Sequence, residues 1–346
     1  MDSSSALKLD ARSLRAAFFD LDGRPPLAAE RERWLGHELS ELIGARLGDE
    51  AFWSAWLEEQ LYYFFLINNF RPQSSRVLEL PQLLAKGAID AQDALWRIAL
   101  SPSFDQRNPG ADTFVTVVME QLCGMVVQKN ARELEIGKAG YDGRPGLFLG
   151  TRIGSQSDVV AAAIADKRFA SHLIGREYER LMRGAPPKKE LRGWISRFRK
   201  EPRELASIYA EWFASGAWAE RLELRRPLSN RAWVKSVFVD LFDRVPEANE
   251  ARRMRDALDG LSDPAPLRSL LVRLMMDGPD KEQLKLPAEG TIEDESGWIR
   301  SVFPLLLGRE ATAEEARVFV HTLRLKDCGP ATIYLALLTS AAYQED

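Results

Sequence analysis

"LRAAFFDLDGRPPLAAERERW", residues 14–34, decides how the rest of the chain reads. Leu14, Phe18 and Leu21 recur at i, i+4 and i+7, the spacing of one apolar stripe on an amphipathic helix. Gly23 stands where a left-handed residue caps a helix, Pro25 and Pro26 stop its continuation, and Glu30 opens the next helix. The stretch predicts helix, tight turn, helix.

Nearly the same letters return in "DRVPEANEARRM" (243–254) and "GREATAEEARVF" (308–319). Val234, Phe238 and Leu241 precede the first of these as a stripe, and Ile299, Phe303 and Leu306 the second. Arg24 stands six residues before Glu30, as Arg244 does before Glu250 and Arg309 before Glu315. Each pair is placed to bridge the turn, and each charge suits the helix dipole beside it. A reaction does not need three copies of one ion pair, so these six residues read as structural. Thr312 with Glu315 adds a capping-box signature in the last copy alone. Weaker copies follow the same spacing at "REYERLMRGAPPKKE" (176–190), with Ile174, Tyr178 and Leu181, and at "FVTVVMEQLCGMVVQKN" (114–130), with Val115, Met119 and Leu122. The latter has lost the proline and the Arg-Glu pair. A second signature closes the units: Ser101, Asp166, Ser215 and Ser340 stand three residues before Phe104, Phe169, Trp218 and Tyr343. A short polar residue there ends one helix or caps the next, while the aromatic packs back on the helix pair.

This pattern, an aromatic, then LxxRxP, then Glu, then a helix closed by Ser or Asp and an aromatic, resembles the short helical repeat of phycobilisome-linker-like domains. It is also similar to the LxRxPxxxE segments of uncharacterised planctomycete proteins fused to cytochrome c domains, the nearest likeness being 14–34 followed by "FWSAWLEEQLYYF" (52–64). The resemblance covers residues 14–60 and most of 159–345 and implies a helical repeat fold. Those relatives carry heme through CxxCH, a motif this sequence lacks. No heme, and no other cofactor, is expected.

The chain has 346 residues, 45% hydrophobic and 28% charged, the composition of a folded protein with its own core. Its formal charge of -4 is too balanced to imply a polyanion partner for the whole molecule. Two cysteines, Cys123 and Cys328, make no disulfide framework. The opening residues lack the pattern of a secretory signal, and no run is long enough to span a bilayer, so a cytoplasmic address is expected. His37, His172 and His321 stand in no metal-ligand spacing, so no metal is expected; no nucleophile elbow or phosphate loop occurs.

Between "NNFRPQSS" (68–75) and "SQSDVV" (155–160) the repeat fades. "FDQRNPGADTF" (104–114) and "GKAGYDGRPGLFLGTRIG" (137–154) read as loops, rich in glycine and polar residues and without flanking strands, able to carry a site on a helical frame. Arg107, Lys138, Arg144 and Arg152 are the candidate anion contacts there, and Tyr141 with Asp142 the candidate contacts to a sugar or peptide. Residues 173–203 hold ten Lys or Arg against four Asp or Glu. Leu191, Ile195 and Phe198 read as the buried stripe of that helix, with Lys188, Arg192, Arg199 and Arg203 on its solvated side.

The expected architecture is all-α: serial helix-turn-helix repeats forming small packed bundles, with segments 1–110, 111–228, 229–288 and 289–346. The expected function is a non-enzymatic scaffold or adaptor that binds protein partners in a larger assembly. A small-ligand site or enzyme in the 105–155 loops is the alternative, and nucleic-acid binding through the basic 188–203 helix the second alternative.

Overall fold

The computed structural model describes residues 7–66, 72–288 and 290–345. The first six residues of the N-terminal reading, and residues 68–71 at the start of the fading stretch, lie outside these.

Six backbone positions set the architecture. Gly23, Leu66, Gly124, Arg183, Asp243 and Gly308 all have left-handed φ, between 51° and 65°. Each donates its N–H to the carbonyl four residues back, over 2.8 to 3.1 Å, the single-bond form of a helix C-cap. Nine, five and two residues before each cap lies the stripe, and every member is buried. The caps at 23, 124, 183, 243 and 308 belong to the copies legible in the sequence. The cap at Leu66 reveals one more, whose stripe is Leu57, Leu61 and Phe64.

The elements then follow in order. The first repeat contains α1 (Ala11–Asp22), α2 (Ala28–Trp34) and α3 (Leu39–Leu47). The second has α4 (Glu50–Phe65), the short α5 (Ser75–Leu78) and α6 (Leu80–Ala85), α7 (Ala91–Ala99) and α8 (Pro102–Arg107). In the third, α9 (Gly110–Val117) runs on as a π-helical turn to Leu122, followed by α10 (Ala131–Tyr141), β1 (Gly146–Phe148), β2 (Thr151–Ile153) and α11 (Gln156–Ala165). The fourth is α12 (Lys167–Met182), α13 (Lys188–Lys200), α14 (Leu205–Phe213) and α15 (Gly216–Arg221). The fifth is α16 (Asn230–Phe242), α17 (Ala248–Asp259) and α18 (Ala265–Asp277), and the sixth α19 (Glu295–Leu307), α20 (Ala313–Leu323) and α21 (Pro330–Leu338). The fold is all-α, with one two-stranded antiparallel hairpin among the described residues.

The closing signature acts in both expected ways. The side chains of Ser101 and Asp166 accept from Phe104 N and Arg168 N and cap the following helix; those of Ser215 and Ser340 donate back to Trp212 O and Leu337 O and end the preceding one. In all four, the aromatic's N–H bonds the carbonyl three residues before it, and the ring is buried. Asp49, which caps α4 through Ala51 N, and the buried Phe52 form a fifth example. The fifth repeat has none: Asp277 is followed at the third place by Asp280.

The chain forms two compact units, Met1–Leu42 with Leu222–Asp346, and Ile43–Arg221. The break read near 228 falls close to a border between them, while those near 110 and 288 fall inside one. The first unit encloses a core of Trp233, Val237, Phe238, Leu241, Ile299, Phe303, Leu306 and Tyr343. The second is filled by aromatics, among them Trp56, Phe65, Phe104, Phe114, Tyr209 and Trp212.

The 105–113 and 137–155 stretches are not loops, and this corrects the sequence reading. Helices α8 and α9 occupy most of the first; α10 and the hairpin occupy most of the second. The glycines serve close packing. A methyl group on Gly137 would stand 2.5 Å from Val115 Cγ1 and 3.0 Å from Phe148 Cε2, and one on Gly140 would collide with Ile153. Only glycine lets α10 lie this close to α9 and the strands.

Candidate functional site

The three Arg-Glu pairs are bidentate. Arg24 donates to Glu30 over 2.6 and 2.8 Å, Arg244 to Glu250 over 2.7 and 2.8 Å, and Arg309 to Glu315 over 2.8 and 2.6 Å. Each glutamate also accepts the backbone N–H three residues before it, from Leu27, Glu247 and Thr312, which satisfies an orphan donor at the next helix's start. Each guanidinium lies over the central aromatic of its own stripe, at 5.6 Å for Phe18, 4.9 Å for Phe238 and 5.3 Å for Phe303. The hydrogen bond to Arg309 comes first in lowering the Glu315 pKa to about 2, and the bond to Arg244 likewise lowers that of Glu250.

All three stapled turns lie in the first unit. In the fourth repeat, Gly184 stands where the arginine would, and the face of Tyr178 is instead covered by Trp194, stacked at 5.4 Å and 25°. The second unit carries its charge inside. Glu177, 1% exposed, accepts from Gln60 at 3.0 Å, Arg180 at 2.9 Å and the Tyr209 hydroxyl at 2.8 Å. Burial alone would raise its pKa; Arg180, Arg176 and Gln60 outweigh it and hold the carboxylate at about 2. Beside it, Arg176 lies 3.9 Å over the ring of Tyr63, whose hydroxyl meets His172 Nε2 at 2.8 Å. Burial, and then Arg176, lower the His172 pKa to about 4, so the imidazole is neutral near pH 7.

The proposed ligand contacts are partnered locally. Arg107 Nε donates to Phe65 O at 3.3 Å, closing the carboxyl end of α4. Lys138 bridges Asp112 at 3.0 Å and Glu135 at 2.8 Å. Tyr141 packs on Phe114 at 5.2 Å and donates to Asp105 at 3.3 Å. Asp142 and Arg144 pair at 3.1 Å just beyond α10, and Arg152 lies on β2, cross-strand from Leu147. Lys138, Tyr141, Asp142 and Arg144 thus share the end of α10, whereas Arg107 and Arg152 hold separate positions. On α13, Arg197 pairs with Glu204 at 2.7 Å and with Glu211, while Lys188, Lys189, Arg192, Arg199 and Lys200 are exposed. No group of His, Cys, Asp or Glu suited to a metal occurs among the described residues.

Two further features were not read from the sequence. Helix α18 is apolar on both sides. Val272 and Met276 are buried on one, and Leu270 and Leu274 are 51% and 57% exposed on the other, flanked by half-buried Leu267 and Leu271. Leu267 and Leu271 pack against the core, so Leu270 and Leu274, one turn apart at i and i+4, are the two of these leucines that face solvent. The pair belongs to the repeat that lacks the closing aromatic. The signal was present in "PLRSLLVRLMM" (266–276), which has too many apolar residues for one stripe.

The second feature is a hollow of about 220 Å³ in the first unit, lined by Ala28, Arg31, Val239, Asp240, Asp243, Lys285, Leu305 and Tyr334. Its floor is a buried pair: Arg15 donates to both oxygens of Asp240, at 3.1 and 2.9 Å, and to Leu305 O, and the Tyr343 hydroxyl donates to Asp240 at 2.8 Å.

No family model, curated protein or solved structure matches this chain. The functional reading rests on its geometry.

Proposed function

We propose that this chain is a non-enzymatic, cytoplasmic scaffold that binds protein partners within a larger assembly. The observation that carries the reading is the exposed pair Leu270 and Leu274 on α18. Two leucines one turn apart in solvent, in a chain whose six capped stripes are buried, suit packing against another helix. The repeat's resemblance to phycobilisome-linker-like segments points the same way. The stapled turns support it from the side of rigidity: three bidentate bridges fix the angles between successive helices, so a docking face is held in shape before a partner arrives.

The test is capture by the tagged chain in an extract of its own cell, compared with a Leu270→Ser/Leu274→Ser variant. Both side chains are exposed, so the variant keeps its thermal midpoint and loses specific partners. Capture of an unchanged set of proteins by a folded variant refutes the α18 face as the docking surface.

A further inference from the structure

The hollow in the first unit has groups on its wall whose bonding capacity is unspent. Asp240, at its base, is saturated by Arg15 and Tyr343 and offers nothing further. The Tyr334 hydroxyl makes no hydrogen bond among the described residues; the residue is 5% exposed, but its oxygen keeps some solvent contact and is not one of the enclosed unpartnered atoms. Lys285 is held at its backbone by a 2.8 Å bond to Leu241 O, and its ammonium makes no ion pair among the described residues. Arg31 gives one bond to Pro26 O at 2.8 Å. Asp243 accepts the Ala28 N–H on Oδ1 at 2.6 Å, leaving Oδ2 as the available acceptor.

We propose that this hollow binds a small carboxylate that also carries a hydrogen-bond donor, as a hydroxy acid does. Arg31, Lys285 and the Tyr334 hydroxyl would hold the carboxylate, and Asp243 Oδ2 the donor. With the floor pair neutral, two cations against one carboxylate leave the wall positive by one charge, which suits a monoanion. Asp243, the wall carboxylate with no ion pair among the described residues, disfavours a second negative charge on the ligand, as on the phosphate dianion. Burial pushes the Tyr334 pKa up to about 12, so its hydroxyl remains a donor throughout the physiological range. A water molecule takes about 30 Å³ of liquid, so 220 Å³ has room for a body of several heavy atoms. This site is independent of the α18 face and of the scaffold reading.

Calorimetric titration of the full chain with sodium glycolate and sodium lactate tests the proposal, with inorganic phosphate and ethylammonium chloride as the other probes. The expected result is saturable binding of a hydroxy acid, weakened about tenfold by Lys285→Gln and by Tyr334→Phe. The absence of saturable heat with either acid overturns it, as does equal or tighter binding of phosphate or ethylammonium. Unchanged affinity in both variants overturns it too. Lys285 is an exposed side chain, so its variant carries the test should Tyr334→Phe fail to fold.

Discussion

Arg24 is the most enclosed of the three bridging arginines: its side chain is 10% exposed, against 34% for Arg244 and 32% for Arg309, and it has Asp22 at 3.4 Å as well. Removing one partner of a buried pair strands the other charge and costs about 3 kcal/mol, whereas a more open pair costs about 1 kcal/mol. Arg24→Ala is therefore expected to lower the urea-unfolding free energy by about 3 kcal/mol and Arg309→Ala by about 1 kcal/mol; equal losses would show that enclosure does not govern these bridges. In the second unit the sensitive variable is pH. His172 drops from an ordinary 6.5 to about 4 on folding, so the unfolded chain binds the extra proton between those values and stability falls as pH descends through them. Glu177, at about 2 against 4.5, acts next: its contribution is complete above 4.5 and is lost as pH falls toward 2. Substituting His172→Gln should flatten the melting temperature between pH 6.5 and 4.5 while leaving the steeper loss below 4.5 in place. A variant with the wild-type slope in the upper window would assign that titration to another group.

Packing decides what a glycine or a cap does at the scale of one element. Gly140→Ala is expected to cost about 1–3 kcal/mol, because the new methyl runs into Ile153 on β2. Gly175→Ala on α12, where nothing lies within 4 Å, should be neutral or stabilise by up to about 1 kcal/mol. Equal effects in thermal melts would mean that α10 does not lie against the hairpin as closely as described. Leu66, exposed and left-handed, spends about 1 kcal/mol that glycine would not, so Leu66→Gly should raise stability by about that amount. These cases also show what the letters could carry. The stripes and the Arg-Glu bridges were legible because both partners lie within one turn, where spacing alone fixes geometry. The second repeat was hidden because Leu66 does the work of a glycine, its Pro72 stands six residues past the cap instead of two or three, and no Arg-Glu pair follows at the repeat's spacing. Gly137 and Gly140 looked like loop residues because a sequence does not say which surface a missing side chain accommodates. Spacing alone does not single out Asp112, Glu135 and Asp142 as the partners of Lys138 and Arg144. The hollow was out of reach for a related reason: Arg31, Asp243, Lys285 and Tyr334 come from distant segments that only folding collects.

Six repeats with interchangeable stripes pose a question of partner choice for the whole chain, since any amphipathic helix here would satisfy another's apolar face. Buried polar contacts supply the selection. In the first unit Arg15 of α1 reaches Asp240 of α16 and Leu305 O of α19, and Tyr343 completes the carboxylate's shell. In the second, Gln60 of α4, Glu177 of α12 and Tyr209 of α14 answer one another. An arginine in the first segment is thereby tied to repeats more than two hundred residues later, which makes the first unit discontinuous in sequence. Local spacing has no means of announcing that closure. The consequence is an asymmetry between fragments. Residues 39–221, which keep α3 whole, contain every member of the Glu177 network and should melt cooperatively alone, with near-UV dichroism from the stacked Tyr178 and Trp194. Residues 222–346 lack Arg15, leave Asp240 buried without its cation, and should melt broadly or not at all until a peptide of residues 1–42 is supplied in trans. Sharp, peptide-independent melting of 222–346 would mean that the Arg15–Asp240 pair is dispensable, and that some other contact decides which repeats assemble.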